Sequence, residues 1–318
     1  MSIQPRSRSP RTLAPGLTLG LAALLAGAIG VGCVGCAGSD DPVAGGSGAD
    51  PMPDPTGTSA GGGTAVAGAA GAQNVQDPPE PPPGPAPVHG YRVVAEFTHD
   101  YRCFTQGLVF AGGQLYESAG KYAASDVRRT DLATGEVLQR RRLASNYFAE
   151  GLAAVGDRLI QLTWQNGKGF VYDRVTLEKI GEFSYAGEGW GLTYDGERLI
   201  LSDGTEYLRF LDPQTFEHLG ALRVTDNARP VQRINELEFI RGEIWANVWQ
   251  SDLIARIDPV TGRVNSWVDL TGIIELKPLL VAGEPQNVLN GIAWEPTTET
   301  LVVTGKYWPK LFQIEVVE

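Results

Sequence analysis

Short stretches in which apolar and polar residues alternate make up most of the chain from residue 91 to its end. They are separated by clusters of Gly, Asp, Asn and Pro, the residues that favour turns. Alternation over about four to eight residues predicts half-buried β-strands, because successive side chains of a strand point to opposite faces. The pattern therefore predicts an all-β domain over residues 91–318.

The strand pattern repeats five times. Each repeat opens with a strand in which a variable residue precedes Gly or Glu and then an aliphatic residue: FTQGLVF (104–110), FAEGLAA (148–154), GWGLTYD (189–195), INELEFI (234–240) and LNGIAWE (289–295). The intervals between the variable residues are 44, 40, 45 and 55 residues. A second strand follows each opening strand, and four units continue with a third strand, an Asp-initiated turn and a fourth strand. The turns begin at Asp131, Asp173, Asp212 and Asp258.

Four short strands in a unit of about 40–50 residues are typical of a propeller blade. The fifth unit ends one strand short, and a strand predicted over residues 91–97 can supply the missing one. We therefore predict a five-bladed β-propeller of four-stranded antiparallel blades. The N-terminal strand would join the last blade and close the ring.

The first 90 residues have a different character, since none of the 7 Trp, 10 Tyr and 10 Phe lies there. Residues 5–11 are basic, and residues 13–31 form an apolar run rich in Leu, Ala and Gly. This order is typical of a secretory signal, with a single membrane anchor as the alternative. Cys33 and Cys36 follow the run, as in bacterial lipoprotein signals. We predict an export segment over 1–36, with a lipid anchor at one of the two cysteines.

Residues 37–90 contain 12 Gly, 11 Pro and six acidic residues but no Lys, Arg or aromatic residue. Such a composition does not bury enough apolar surface to fold, and it predicts a tether. We expect a monomeric protein that is secreted, periplasmic or held on the cell envelope. Contact with the membrane is expected only through the lipid.

The formal net charge is −11, which argues against binding to nucleic acid. Cys103 is the only cysteine after Cys36, so no disulfide framework is predicted in the domain. His89, His99 and His218 are far apart in the sequence and have no ligand spacing. We therefore predict no metal site and no cofactor.

Comparison of the repeats indicates which positions carry function. Two residues after the variable residue, every unit has Leu or Ile, as expected for packing: Leu108, Leu152, Leu192, Leu237 and Ile292. The variable residue and the residue ending the second strand differ in chemistry between units. Equivalent positions of propeller blades meet at one mouth of the central channel, so this variation predicts a site there. The predicted site residues are Gln106, Glu150, Trp164, Trp190, Asn235, Trp249, Asn290 and Lys306.

Seven segments, in order along residues 91–318, carry a resemblance to a known family: FTQGL, YFAEGL, EGWGLTYDG, INELE, ANVWQSD, LNGIA and TGKYWPKLF. In these segments the sequence resembles the plant- and bacterial-type glutaminyl cyclases of the glutamine cyclotransferase family. The resemblance implies a five-bladed propeller and a zinc-independent enzyme. It implies conversion of the N-terminal Gln of peptides or proteins to pyroglutamate with release of ammonia. The functional residues that it implies are Gln106, Glu150, Trp190, Asn235, Trp249 and Lys306, with Trp164 nearby.

The predicted residues suit this reaction. The substrate's own α-amine attacks its γ-amide carbon, so no protein nucleophile is required. Glu150 can move the proton from the amine to the leaving nitrogen. We therefore assign Glu150, Asn235, Lys306 and Gln106 to catalysis. We assign Trp190, Trp249, Trp164 and Asn290 to substrate binding.

Two other functions remain open from the residues. Glu150, Asn235 and Asn290 could converge on Ca²⁺ in a lactonase-like hydrolase. A lysine at the same mouth, Lys306, argues against that set, because it would repel the ion. A non-catalytic binding propeller tethered to the envelope is the other alternative.

Overall fold

A computed structural model describes residues 84–275 and 287–318. Every regular element within these ranges is a β-strand, and none of the described residues forms a helix long and apolar enough to cross a membrane. The predicted all-β class is confirmed. The predicted export segment over 1–36 and most of the predicted tether lie outside the described residues.

The strands follow the predicted units. The first strand, β1, spans Val88–Thr98; it contains the strand predicted over 91–97 and the last three residues assigned to the tether. The first unit consists of β2 (Thr105–Ala111), β3 (Gln114–Ala119), β4 (Asp126–Thr130) and β5 (Val137–Arg142). The second consists of β6 (Ala149–Val155), β7 (Arg158–Thr163), β8 (Lys168–Asp173) and β9 (Lys179–Ser184). The third consists of β10 (Leu192–Tyr194), β11 (Leu199–Leu201), β12 (Tyr207–Leu211) and β13 (His218–Arg223).

A short hairpin, β14 (Thr225–Asp226) and β15 (Arg229–Pro230), precedes the fourth unit. That unit consists of β16 (Ile234–Ile240), β17 (Glu243–Val248), β18 (Leu253–Ile257) and β19 (Val264–Asp269). The fifth consists of β20 (Leu289–Glu295), β21 (Thr300–Gly305) and β22 (Lys310–Val317). Each of the first three units forms a separate four-stranded antiparallel sheet.

The last two units are joined through β1 in an eight-stranded sheet with the order β16-β17-β18-β19-β1-β22-β21-β20. Residues of β1 pair antiparallel with β22, from Gly90 opposite Val317 to Thr98 opposite Lys310. The start of β1 also pairs parallel with β19, through Val88 opposite Trp267 and the next residue pair. The N-terminal strand thus supplies the fourth strand that the fifth unit lacks.

The turns between third and fourth strands have the predicted chemistry. Oδ1 of Asp131 accepts a hydrogen bond from the backbone N–H of Thr134 at 2.8 Å. The same bond forms at Asp173, Asp212 and Asp258, at 2.8, 2.7 and 2.7 Å. These Asx turns cap the strand ends and return the chain across the sheet.

Five hydrophobic clusters lie between successive units. Each contains one of the constant aliphatic residues: Leu108, Leu152, Leu192, Leu237 or Ile292, none more than 1% exposed. The prediction that these positions pack is confirmed. One cluster combines Leu108 of the first unit with Ala293 and Val302 of the fifth, so the two ends of the domain share a core.

Four of the five opening strands carry a β-bulge at the variable residue. Pairing shifts register between Thr105 and Gly107, between Ala149 and Leu152, and at the equivalent places in β16 and β20. A bulge gives a strand one extra residue and turns the side chain there away from the regular alternation. The variable residues can therefore leave the packed faces of their sheets.

Neighbouring opening strands approach closely at the glycine that follows the variable residue. A Cβ on Gly151 would lie 2.5 Å from the backbone N of Leu192, and one on Gly191 would lie 2.0 Å from the carbonyl oxygen of Asn235. In β16 the equivalent residue is Glu236, whose carboxylate accepts hydrogen bonds from the N–H groups of Leu108 and Ile292 at 3.2 and 2.9 Å. This side chain therefore links the fourth unit to the first and the fifth.

Candidate active site

One cavity of about 230 Å³ collects side chains from every unit. It is lined by Phe104, Gln106, Lys121, Phe148, Glu150, Trp164, Trp190, Asn235, Trp249 and Lys306. Seven of the eight predicted site residues lie on its wall, and Asn290 does not. The two variable registers of the repeat thus meet in one place.

Glu150 is the buried carboxyl of this cavity. It lies on the bulge of β6 and is 4% exposed. Its Oε1 accepts a hydrogen bond from Nε2 of Gln106 at 2.8 Å. Burial raises the pKa of Glu150 well above its ordinary value, Lys306 lowers it in part, and Glu188 adds to the rise. A carboxyl whose pKa is raised by burial is a stronger base than an exposed one and can accept a proton and return it.

Asn290 supports the Glu150 carboxyl indirectly, through Gln106. It is fully buried, and its Nδ2 donates to the carbonyl oxygen of Thr105 at 2.9 Å and to Oε1 of Gln106 at 3.3 Å. The second bond fixes the Gln106 amide so that its NH₂ group faces Glu150. The sequence predicts that Asn290 contacts the substrate directly. In the structure Asn290 does not line the cavity, and its amide is instead hydrogen-bonded to Gln106, which does.

Asn235 is a polar group of the wall with an unused hydrogen-bonding atom. The side chain is 2% exposed, and its Oδ1 has no hydrogen-bond partner among the described residues. Its backbone oxygen accepts a bond from Oγ of Ser202 at 2.6 Å, which fixes the strand. A buried amide atom without a partner carries a desolvation penalty that a ligand can relieve.

Aromatic side chains form the other walls. The rings of Trp190 and Trp249 meet edge to face, with centroids 5.6 Å apart and planes at 85°. Phe148 makes similar contacts with Phe104 and Trp164, each at 5.8 Å. Such edge-to-face pairs stabilise a fixed ring arrangement.

Glycines at the ends of the second strands make room for these rings. A Cβ on Gly204 would lie 2.7 Å from the Trp190 ring, and the residue has a positive φ of 82°. A Cβ on Gly120 would lie 2.4 Å from the Phe148 ring. The variable second-strand register therefore has small residues where a neighbouring aromatic enters the cavity.

One carboxylate orients two of the indoles. Oε2 of Glu188 accepts hydrogen bonds from Nε1 of Trp164 at 2.7 Å and from Nε1 of Trp190 at 2.9 Å. Its Oε1 accepts a hydrogen bond from Nε2 of Gln165 at 3.0 Å. The guanidinium of Arg209 donates to the backbone carbonyl oxygen of Glu188 at 2.6 Å. Glu188 was not predicted, because it lies in neither variable register.

Lys306 brings a buried ammonium to the cavity. It is 4% exposed, and its Nζ lies 4.7 Å from the centre of the Phe104 ring. Burial lowers the pKa of Lys306 to about 8; Glu150 acts in the opposite direction, and Lys121 adds to the decrease. The cation and the carboxyl of Glu150 therefore interact inside a low-dielectric site.

The lactonase-like alternative loses support from the geometry, and the buried cysteine of the domain does not offer a nucleophile. The set Glu150, Asn235 and Asn290 does not line one cavity, and the wall instead pairs Glu150 with Lys306. Cys103 is completely buried, and burial raises the pKa of its thiol well above the usual range. A thiol in that state is a poor nucleophile.

Comparison with known proteins decides the family. A family model described as glutamine cyclotransferase matches residues 64–316. The chain belongs to the glutamine cyclotransferase family. A curated glutaminyl-peptide cyclotransferase of Arabidopsis thaliana is 46% identical over 232 residues, which cover 72% of each chain. The crystal structure of Myxococcus xanthus glutaminyl cyclase superposes with a TM-score of 0.68 at 38% identity, over 73% of this chain and 98% of that one.

The family resemblance predicted from seven segments is thereby confirmed. Membership in the glutamine cyclotransferase family argues against the lactonase-like hydrolase and the non-catalytic scaffold. Three lining residues, Phe104, Lys121 and Phe148, were missed by the register comparison. Each precedes or follows a variable position by one or two residues, so the signal was their adjacency to that register.

Proposed function

We propose that this protein is a glutaminyl-peptide cyclotransferase, which converts the N-terminal Gln of peptides or proteins to pyroglutamate and releases ammonia. The observation that carries the proposal is the buried Glu150 carboxyl, held by Gln106 in a cavity with indole walls and a buried lysine. This arrangement occurs in a chain of the glutamine cyclotransferase family.

The reaction is intramolecular. The α-amine of the glutaminyl residue attacks its own γ-amide carbon, a five-membered ring closes, and the amide nitrogen leaves as ammonia. Well-oriented intramolecular reactions reach effective molarities of about 10⁵ M or more, so holding the bent conformer supplies much of the acceleration. The indoles of Trp190 and Trp249 form a rigid wall against which the substrate side chain can bend.

Glu150 carries the proton. Its carboxylate takes a proton from the attacking amine and delivers it to the leaving nitrogen, and one group between the two atoms suffices for both steps. Gln106 holds the carboxyl in place through its Nε2, and Asn290 holds Gln106. We assign these two amides to the orientation of the base.

Charge that develops on the γ-oxygen is stabilised by the opposite wall. Lys306 provides a buried cation, and the side-chain NH₂ group of Asn235, which lines the same cavity, provides a hydrogen-bond donor. A donor aimed at such an oxygen is typically worth about 3 kcal/mol of transition-state stabilisation. The aromatic walls exclude water and favour cyclisation over hydrolysis.

We further propose that the domain is a five-bladed propeller whose ring is closed by β1. Two observations support this architecture: β1 pairs with the last strand, and one hydrophobic cluster joins the first unit to the fifth. The site would then lie where five opening strands converge at one mouth of the channel.

We retain the proposal that residues 1–36 direct export, that Cys33 or Cys36 accepts a lipid, and that residues 37–90 form a tether. The protein would then act as a monomer on N-terminal Gln substrates outside the cytoplasm. The basic start, apolar run and following cysteines support this location.

The function is tested by incubating the full chain with a Gln-Ala dipeptide amide and following the product by mass spectrometry and an ammonia assay. We expect a mass decrease of one ammonia molecule and one equivalent of free ammonia. A Gln-free Ala-Ala amide serves as the control substrate. Absence of ammonia release from several N-terminal Gln peptides would refute the proposal.

Loss of the Glu188 carboxylate is expected to loosen the indole walls. In Glu188→Ala, Trp164 and Trp190 lose their shared acceptor, so KM should rise about fivefold, equivalent to ~1 kcal/mol for this half-exposed site, with a smaller change in kcat. Intrinsic tryptophan fluorescence should shift in the same variant. The exposed Glu197→Ala serves as the control. Unchanged KM and fluorescence in Glu188→Ala would show that the carboxylate does not position the indoles.

A further inference from the structure

The indole wall of the cavity carries a carboxylate whose charge no described residue neutralises. Oε2 of Glu188 accepts hydrogen bonds from Nε1 of Trp164 at 2.7 Å and from Nε1 of Trp190 at 2.9 Å. Its Oε1 accepts a bond from Nε2 of Gln165 at 3.0 Å. Indole and amide N–H groups are neutral donors, so they hold the carboxylate in place and leave its negative charge. Among the residues that the structure describes, none forms an ion pair with Glu188.

Arg209 reaches the backbone at Glu188 rather than its carboxylate. Nη2 of Arg209 donates to the carbonyl oxygen of Glu188 at 2.6 Å, and Nε of Arg209 lies 3.4 Å from Oδ2 of Asp203. The N–H of the next residue, Gly189, donates to the carbonyl oxygen of Trp164 at 3.0 Å. The main chain at Glu188 is therefore fixed from two sides, while the guanidinium has Asp203 as its own anionic partner.

The lysines of the cavity lie on a different wall. The Nζ atoms of Lys121 and Lys306 are 4.5 and 4.7 Å from the centre of the Phe104 ring. Phe148 lies between that ring and the indoles, since its own ring is 5.8 Å from Phe104 and 5.8 Å from Trp164. The carboxylate of Glu188 therefore stands on the side of the cavity that the second and third units supply.

The carboxyl of Glu188 is ionised at neutral pH. Partial burial raises its pKa, but hydrogen bonds from Gln165, Trp190 and Trp164 outweigh burial and leave that pKa below its usual value. The field of this charge reaches the interior, because it contributes to the raised pKa of Glu150. An ionised carboxylate has about four acceptor positions. The two indoles and the amide use three of them, and one on Oε1 remains for a ligand.

A glutaminyl substrate must place its α-amine and γ-amide beside Glu150, which is 4% exposed. The rest of the peptide then leaves through the mouth of the cavity, past the half-buried indoles of Trp164 and Trp190 and the half-buried Glu188 that joins them. We propose that Glu188 makes this enzyme favour glutaminyl substrates with a cationic side chain directly after the Gln. A Lys or Arg at that place brings both the opposite charge and a donor for the remaining acceptor position. This inference rests on the proposed cyclotransferase function.

The test compares kcat/KM of the full chain for two peptides that differ in charge but hardly in shape. Gln-Arg-Ala amide has a guanidinium after the Gln, and Gln-citrulline-Ala amide has a neutral urea group of nearly the same size. In the wild type we expect the arginyl peptide to be favoured about fivefold, as for a partly exposed ion pair. The ratio should fall towards one at high salt, because salt screens exposed charges.

Glu188→Gln removes the charge but keeps an oxygen that can accept the bonds from Trp164 and Trp190. The ratio should therefore fall to near one, while tryptophan fluorescence keeps its wild-type emission maximum. Glu197→Gln, on the exposed turn between β10 and β11, is the matched control and should keep the wild-type ratio. A general loss of activity cancels in the ratio. Where a variant turns over too slowly, the ratio is taken from binding of the pyroglutamyl-Arg-Ala and pyroglutamyl-citrulline-Ala amide products.

A wild-type ratio within about twofold of one would overturn the assignment, and so would an unchanged ratio in Glu188→Gln. In either case Glu188 positions the indoles and does not select the substrate. Failure of the proposed function gives a different result, because then neither the arginyl nor the citrulline peptide releases ammonia.

Discussion

Glu150→Gln is expected to lower kcat by about a thousandfold while substrate binding is retained. General acid–base catalysis typically contributes about 10²–10⁴ in rate, and Glu150 serves both proton transfers of the reaction. The amide oxygen of the new side chain can still accept the hydrogen bond from Gln106, so the cavity should keep its shape. Steady-state kinetics on a Gln dipeptide amide and calorimetric binding of its pyroglutamyl product measure the two effects.

The folded state of Glu150→Gln should be at least as stable as the wild type near neutral pH. Burial raises the pKa of Glu150, so ionisation of this carboxyl costs stability as the pH rises above its unfolded value. A neutral amide removes that penalty. Glu217→Gln, on an exposed turn, is the control and should leave kcat unchanged. A kcat for Glu150→Gln within about threefold of the wild type would contradict the role of Glu150 as proton carrier.

The second large effect is expected at a buried network outside the cavity. Nε2 of His99 bonds Oε1 of Glu117 at 2.9 Å, and Nδ1 of His99 bonds the carbonyl oxygen of Trp308 at 2.6 Å. Thr105 donates to the same Glu117 oxygen at 2.8 Å. This network anchors the segment that follows Lys306 and so supports the position of the buried ammonium.

Glu117→Gln is expected to lower the free energy of unfolding by about 3–5 kcal/mol, because it leaves the buried His99 without its charged partner. Chemical denaturation at pH 5.5 measures the loss. Glu182→Gln removes an exposed partner of Lys179 and should cost less than about 1 kcal/mol. Equal losses in the two variants would show that the buried pair does not stabilise the fold.

The loss of stability caused by Glu117→Gln should be largest at intermediate pH and should become smaller at both lower and higher pH. Burial lowers the pKa of His99, but Glu117 and the Trp308 carbonyl outweigh it and leave that pKa raised. Burial raises the pKa of Glu117, but His99 and Arg128 outweigh it and lower that pKa to about 2.

The histidine contribution is therefore complete below about pH 6.5 and is lost as the pH rises through its folded pKa. The carboxylate contribution is complete above about pH 4.3 and is lost as the pH falls towards 2. The difference between wild type and variant should be largest between about pH 4.3 and 6.5. A difference that does not change between pH 3 and 9 would contradict the charged pair.

The repeat made most of the cavity predictable. Glu150, Trp190 and Asn235 occupy one position of the repeated unit, at or just before the opening strand, and units that repeat a register place equivalent residues together. No alignment of relatives is needed for that inference, since one chain contains five versions of the unit. Asn290 shares the register but does not line the cavity, because its side-chain amide is hydrogen-bonded to Thr105 and Gln106.

The sequence by itself determined the strand class, the five units, the family resemblance and seven of the ten residues that line the cavity. Local alternation and a fixed period carry this information, because they depend on neighbours along the chain. Only the tertiary structure revealed the roles of Glu188 and of the pair His99 and Glu117. Their contacts join residues of no common register, and hydrogen bonds and pKa shifts depend on which groups burial brings together in space.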